Sequence, residues 1–184
     1  MVKKFFGFVW EILKITIIAS AIVLPIRFFI FQPFLVKGPS MEPNFENNDY
    51  LIVDEISYRL RVPERGEVIV FKFPLNTSQR FIKRIIGLPG ELVEINNGEI
   101  KISKNGKTEI ISESRYLNPT LETLGNISIV LNQNEYFVLG DNREESYDSR
   151  RFGVVPMNDI IGRVAFRAWP IGALTAFGAP DYQQ

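Results

Sequence analysis

A mostly β domain behind one N-terminal transmembrane helix is the architecture this sequence encodes. A single long apolar stretch opens the chain, short β-type runs follow from Phe34 onward, and turn dipeptides separate those runs.

The opening stretch, MVKKFFGFVWEILKITIIASAIVLPIRFFIFQPFLV, has Lys3 and Lys4 ahead of its apolar centre and reads as a membrane anchor. Its uncharged run from Ile15 to Ile26 is short for a span of ~20 residues, so Glu11, Lys14 and Arg27 are expected near the interfaces, with Lys14 snorkelling. A cleaved secretory signal is the first alternative. Against it, Ala19, Ser20 and Ala21 lie inside the apolar run and lead into Ile22, Val23 and Leu24, not into a polar mature start. A helix lying on the bilayer surface is the second, but Ile17, Ile18, Ile22 and Val23 cover too many faces for it. The Lys3/Lys4 flank sets the N-terminus in the cytoplasm and the chain beyond about residue 30 outside, at the plasma membrane. Residues 1–33 form the tip and anchor, and residues 34–184 form one extracytoplasmic domain, because a 46% hydrophobic chain of 184 residues supplies one modest core.

YLIVDE, EVIVFKF, RFIKRII, ELVEI, EIKIS, TEIIS, ISIVL, EYFVL and IIGRVAF each have strand length and β-branched or aromatic content. Asn96-Asn97-Gly98, Asn105-Gly106 and Pro89-Gly90 provide the turn chemistry between paired strands. The polar stretch from Ser112 to Asn126 is expected to be a surface excursion.

Composition removes whole classes of chemistry. The chain has neither His nor Cys, which excludes a Ser-His-Asp triad, a thiol nucleophile, a disulfide and a zinc site built on imidazole or thiolate. No cofactor and no metal are expected. Lys+Arg and Asp+Glu both number 21 and the basic residues are scattered, which argues against a nucleic-acid partner. Acyl transfer on this chain must then use Ser or Thr with Lys, or paired carboxylates.

Two segments could supply a Ser and a Lys. In Gly38-Pro39-Ser40-Met41-Glu42-Pro43 a serine sits among residues that stop both helix and sheet, so its hydroxyl and the neighbouring N–H groups can stay accessible; an ordinary turn serine is the alternative. In Arg80-Phe81-Ile82-Lys83-Arg84-Ile85-Ile86, strand alternation puts Lys83 on one face between Phe81 and Ile85, and Arg84 on the other. A general base must be neutral, and an exposed lysine has a pKa of ~10.4, which desolvation can lower by up to ~3 to 5. Arg84 keeps its charge and pairs elsewhere, and a solvent-facing edge lysine is the alternative for Lys83. A third segment, from Gly140 through Asp141, Arg143, Ser146, Asp148 and Arg150 to Gly153, can orient other groups through charge-assisted bonds, or be a solvated loop with an internal salt bridge.

Taken in this order, PSMEP, RGEVIVFKFP, RFIKRIIGLPGE and GDNREESYDSRRFG, behind an anchor ending in IRFFIFQPF, resemble the motif set of the bacterial type I signal peptidases, membrane-anchored Ser/Lys leader peptidases. The resemblance runs from about Pro25 to the Trp169-Pro170 region and implies a signal-peptidase-like β domain with coiled sheets. It implies Ser40 as nucleophile, Lys83 as general base and Ser146 as the hydroxyl that positions the lysine, with Asp141, Arg143, Asp148 and Arg150 in supporting positions and Met41 as the usual residue after the nucleophile. One departure stands out. Gly38 occupies a position where some members carry a Ser that donates to the oxyanion, so the hole here must rely on backbone N–H groups, chiefly that of Ser40.

The implied reaction removes N-terminal signal peptides from preproteins after small residues, through an acyl-enzyme on Ser40, with an extended substrate added to a sheet edge. Preproteins and the lipid bilayer are the implied partners. Two other functions are weighed: a self-cleaving Ser/Lys regulator, which would need a DNA-binding domain where the anchor lies, and a non-catalytic membrane adapter. The apolar run VAFRAWPIGALTAFG is too broken by Arg167 and Pro170 to span a bilayer, and is expected to be core plus an exposed edge, with Trp169 a candidate to dip into the interface.

Overall fold

The computed structural model describes residues 2–29 and 31–180; Met1, Ile30 and the 181–184 tail assigned above to the domain lie outside the described residues, as do the side chains of Lys3, Lys4 and Arg27. Helix α1 covers Val2–Phe29. Its described apolar side chains, among them Phe5, Trp10, Ile15 and Ile18, are all exposed, and they do not gather on one stripe. Among the described residues no helix is long and apolar enough to cross a membrane. Glu11 and Lys14 fall in the middle of the segment whose side chains are described and lower its mean hydropathy.

Strand β1, Phe31–Leu35, begins almost at once. Phe31, Gln32 and Pro33, assigned above to the anchor, therefore belong to the sheet, where they pair with Asp54, Val53 and Ile52 of β2, Tyr50–Asp54. A single helical turn, α2 (Ser57–Leu60), precedes β3 (Val68–Phe73) and the long β4 (Asn76–Gly87). Next come β5 (Leu92–Asn96), β6 (Glu99–Lys104), β7 (Lys107–Ile110), β8 (Ile127–Val130) and β9 (Glu135–Leu139). One further turn, α3 (Ser149–Phe152), leads to β10 (Val155–Pro156), β11 (Ile160–Trp169) and β12 (Thr175–Ala176).

The larger sheet has the order β1-β2-β11-β3-β4-β9-β10, with β12 on β11, and the smaller has the order β7-β6-β5-β8. All the pairings are antiparallel, as expected for strands joined by short turns. At the β5–β6 hairpin Asn97 and Gly98 both take positive φ, 52° and 81°, the conformation that two-residue turns of matching twist require.

Three apolar clusters hold the domain. Met41, Phe45, Leu51, Val53 and Val70 form one beneath the Ser40 turn. Ile69, Phe71, Ile85 and Val138 form a second behind β4. Ile86, Val93, Ile95 and Phe137 join the smaller sheet to the larger. The Ser112–Asn126 stretch has no strand and is mostly exposed, but Leu117 and Thr123 are buried, so it also clamps the domain.

Candidate active site

The turn bearing Ser40 is pinned from below. Met41 and Phe45, each fully buried, sink into the first cluster, and Phe45 N donates to Met41 O at 2.9 Å. With its neighbour anchored, Ser40 is left half-buried at the mouth of a cavity of about 450 Å³ lined by Phe34, Lys37, Phe81, Lys83 and Tyr147. Asn142 N donates to Ser40 O at 3.1 Å and ties the turn to the loop after β9.

Lys83 enters from β4, in register with Ile69 of β3. It is 4% exposed, and Phe81 and Ile85 flank it as strand alternation requires. Its Nζ donates to Ser40 Oγ at 2.8 Å and to Ile82 O at 2.9 Å, and lies 5.6 Å from the centre of the Phe81 ring. Burial lowers the amine's pKa to about 8, against the opposing pull of the Asp148 and Asp141 charges. An amine so placed gives up its proton much nearer neutral pH than a solvated lysine does, and it touches the Ser40 hydroxyl.

Arg84, one residue on and facing the other way, grips Asp141 with two bonds, Nε to Oδ1 at 2.8 Å and Nη2 to Oδ2 at 2.6 Å. Its Nη1 donates to Gly66 O at 2.8 Å, and its guanidinium lies 4.0 Å from the Tyr116 ring centre. Both members of the pair are buried, and the fork geometry satisfies the carboxylate.

The loop after β9 is a built scaffold, not a solvated run. Asp148 accepts from Gly140 N at 3.2 Å and pairs with Arg150 Nε at 2.9 Å, while its Oδ1 caps α3 by accepting from Arg150 N. Arg143 donates to Gly140 O at 2.9 Å and reaches Glu113 and Thr123 in the Ser112–Asn126 stretch. Arg150 in turn donates to Arg143 O at 2.6 Å. These charges brace one another and do not touch the cavity's reacting atoms.

Ser146 is buried, yet its hydroxyl has no hydrogen-bond partner among the described residues. A Cβ added to Gly140 would lie 2.2 Å from Ser146 Oγ and 2.4 Å from Ser40 O, so both crowd against the bare backbone of that glycine. The bond from Ser146 to Lys83 that the resemblance implies is not formed here: the amine's described donations go to Ser40 and Ile82.

At Gly38, φ is +86°, and its N–H donates to the Asn47 side chain at 3.0 Å. Open space surrounds the missing Cβ, but a serine there would be strained and the N–H is already engaged. The Ser40 N–H, by contrast, donates to no described residue. Among the described residues no cluster of His, Cys, Asp or Glu could hold a metal ion.

Sequence reasoning missed Asn44, Glu113, Tyr116 and Thr123. Asn44 follows the PSMEP run directly and was open to inspection as a polar residue beside a buried phenylalanine, whereas the other three touch the site only through long-range contacts.

The model of the family described as signal peptidase, peptidase S26, matches residues 9–169. The signal peptidase I of Leptolyngbya laminosa is 37% identical over 89% of this chain and 81% of its own length. The signal peptidase I of Bacillus caldolyticus is 36% identical over 83% and 87% respectively. The crystal structure of a signal peptidase I from Enterococcus faecalis V583 is 34% identical, covers 56% of this chain and 97% of its own, and superposes with a TM-score of 0.46.

Proposed function

The chain belongs to the signal peptidase, peptidase S26, family, and on that premise we propose that it is a signal peptidase I, a serine endopeptidase that removes signal peptides from secreted preproteins. The observation that carries the assignment of roles is the 2.8 Å contact between Ser40 Oγ and a buried Lys83 amine.

Ser40 Oγ attacks the scissile carbonyl carbon as neutral Lys83 removes the hydroxyl proton; the tetrahedral oxyanion is held by the Ser40 N–H. Lys83 then hands that proton to the departing amine, leaving an acyl-enzyme on Ser40. Water, deprotonated by the same amine, attacks the ester, and the ammonium returns that proton to Ser40 Oγ as the signal peptide leaves. Ser146 holds the Lys83 amine toward its targets once it swings from the Ser40 hydroxyl to the leaving group or water. Asp141, Arg143, Asp148, Arg150 and Arg84 keep the elements in register through the ion pairs described above. No cofactor enters the reaction. The cavity beside Ser40 suits small side chains before the cut, with the substrate extended along the part of β4 up to Lys83, which pairs with β3 but not with β9.

The N-terminal segment anchors the enzyme in the plasma membrane as a single pass, N-terminus inside and catalytic domain outside. Support comes from Lys3 and Lys4 ahead of the apolar run and from apolar side chains exposed around α1. A second contact reinforces it. Leu35, Tyr50 and Trp169 line up across β1, β2 and β11, all exposed, with Ile171 and Leu174 beside them, and β1 follows directly on α1. Tethering there raises the effective concentration of leaders lying in the same bilayer.

Cleavage of a leader-bearing preprotein by the purified full chain tests the assignment. Ser40→Ala and Lys83→Ala are each expected to abolish processing; unchanged turnover in either would refute it.

A further inference from the structure

The turn with Ser40 and the strand with Lys83 meet through a third party. Asn44 Nδ2 donates to Asp141 Oδ2 at 2.9 Å and to Tyr116 O at 2.8 Å, and the Asn44 backbone carbonyl accepts from Arg167 Nη2. Asp141 is clamped in turn by Arg84, the residue next to Lys83 on β4. A closed ring results: from Ser40 along its turn to Asn44, across to Asp141, on to Arg84, one step along the strand to Lys83, and back to Ser40 Oγ. We propose that Asn44 is a positioning residue for peptide cleavage, fixing the separation of Ser40 Oγ and Lys83 Nζ by bridging the nucleophile turn to the Asp141–Arg84 pair. The inference rests on the assignment of Ser40 and Lys83 as nucleophile and base.

The side chain suits the task chemically. Two oxygen acceptors, a carboxylate and a carbonyl, converge on one point, and an amide nitrogen with two hydrogens serves both. Aspartate in its place would set a second negative charge against Asp141, and alanine would withdraw the donor from both acceptors. Asn142 N, donating to Ser40 O, is the other tie between turn and loop, so without Asn44 the turn keeps its packing through Met41 and Phe45 but hinges at its Ser40 end on that one bond to the loop. Because displacements of ~1 Å can cost ~100-fold in rate, a loosened hinge registers in the chemical step well before it unfolds the domain.

Steady-state cleavage of a leader-bearing preprotein by the full chain in detergent, with a pH profile and a thermal melt, compares wild type, Asn44→Ala, Asn44→Ser and Ser40→Ala. In Asn44→Ala kcat is expected to fall about tenfold or more with KM within about twofold, and the alkaline rise in activity to move to higher pH as water reaches the amine. Asn44→Ser, which keeps one donor, falls between. Should Asn44→Ala fail to fold, Asn44→Ser decides by the same readouts. Lowered melting temperature with kcat and pH midpoint at wild-type values in the folded variants overturns the proposal and leaves Asn44 a stabilising residue only. Absence of Ser40-dependent cleavage in the wild type would instead overturn the assignment beneath it.

Discussion

Lys83 Nζ and Ser40 Oγ lie 2.8 Å apart although 43 positions separate them in the chain, and the amine is all but sealed from water. Burial outweighs the attraction of Asp148 and Asp141 and brings its pKa down to about 8. In the proposed mechanism the neutral form is the base, so kcat/KM should rise with pH and reach half its plateau near pH 8. An initial-rate series from pH 6 to about 10 checks this; a rise delayed until about pH 10.4, the value of a solvated lysine, would contradict it.

The same burial costs stability. Lys83 titrates near 10.5 when unfolded and near 8 when folded, so below pH 8 the folded state carries the full penalty, about 3 kcal/mol, which is relieved as pH rises from 8 toward 10.5. Lys83→Met should therefore be inactive yet more stable than wild type at pH 7, by about 1–3 kcal/mol after loss of its bonds to Ser40 and Ile82, in urea denaturation. The gain should vanish above about pH 10.

Arg84→Leu should destabilise by about 3–5 kcal/mol, because it leaves the Asp141 carboxylate buried with its charge unmatched. Replacing both partners with apolar residues should cost less than the sum of the single changes. A double-mutant cycle on unfolding free energies measures the difference.

Gly140→Ala should cut kcat by about 100-fold or more, since the new methyl would have to displace both the Ser146 hydroxyl and the Ser40 carbonyl. Ser146→Ala is the informative contrast. Its hydroxyl has no described partner, so its loss should leave melting within about 0.5 kcal/mol of wild type while lowering kcat.

Much of this site could be read from local pattern. Alternation along Phe81, Lys83 and Ile85 placed the lysine among apolar neighbours, and the Pro- and Gly-framed turn presented Ser40. The turn dipeptides marked the hairpins of the smaller sheet. What escaped were features with no local signature. Phe31–Leu35 shares the composition of the apolar stretch before it, and only pairing with β2 makes it a strand. The clasp of Asn44 on Asp141 spans 97 positions, and the grip of Arg143 on Glu113 spans 30. Such contacts depend on how the sheets close, which no period of two or 3.6 encodes. The Ser112–Asn126 stretch looked like a mere surface loop because the two side chains it lends to Arg143, from Glu113 and Thr123, are ordinary in composition.

The proposed mechanism, in which a lysine becomes a base only when enclosed, has a consequence for the cell that makes it. While the chain is still emerging and unpacked, position 83 is wet, cationic and remote from any serine, so the newborn polypeptide cannot cut its neighbours. Proteolytic competence then switches on with the closing of β3, β4 and the Ser40 turn.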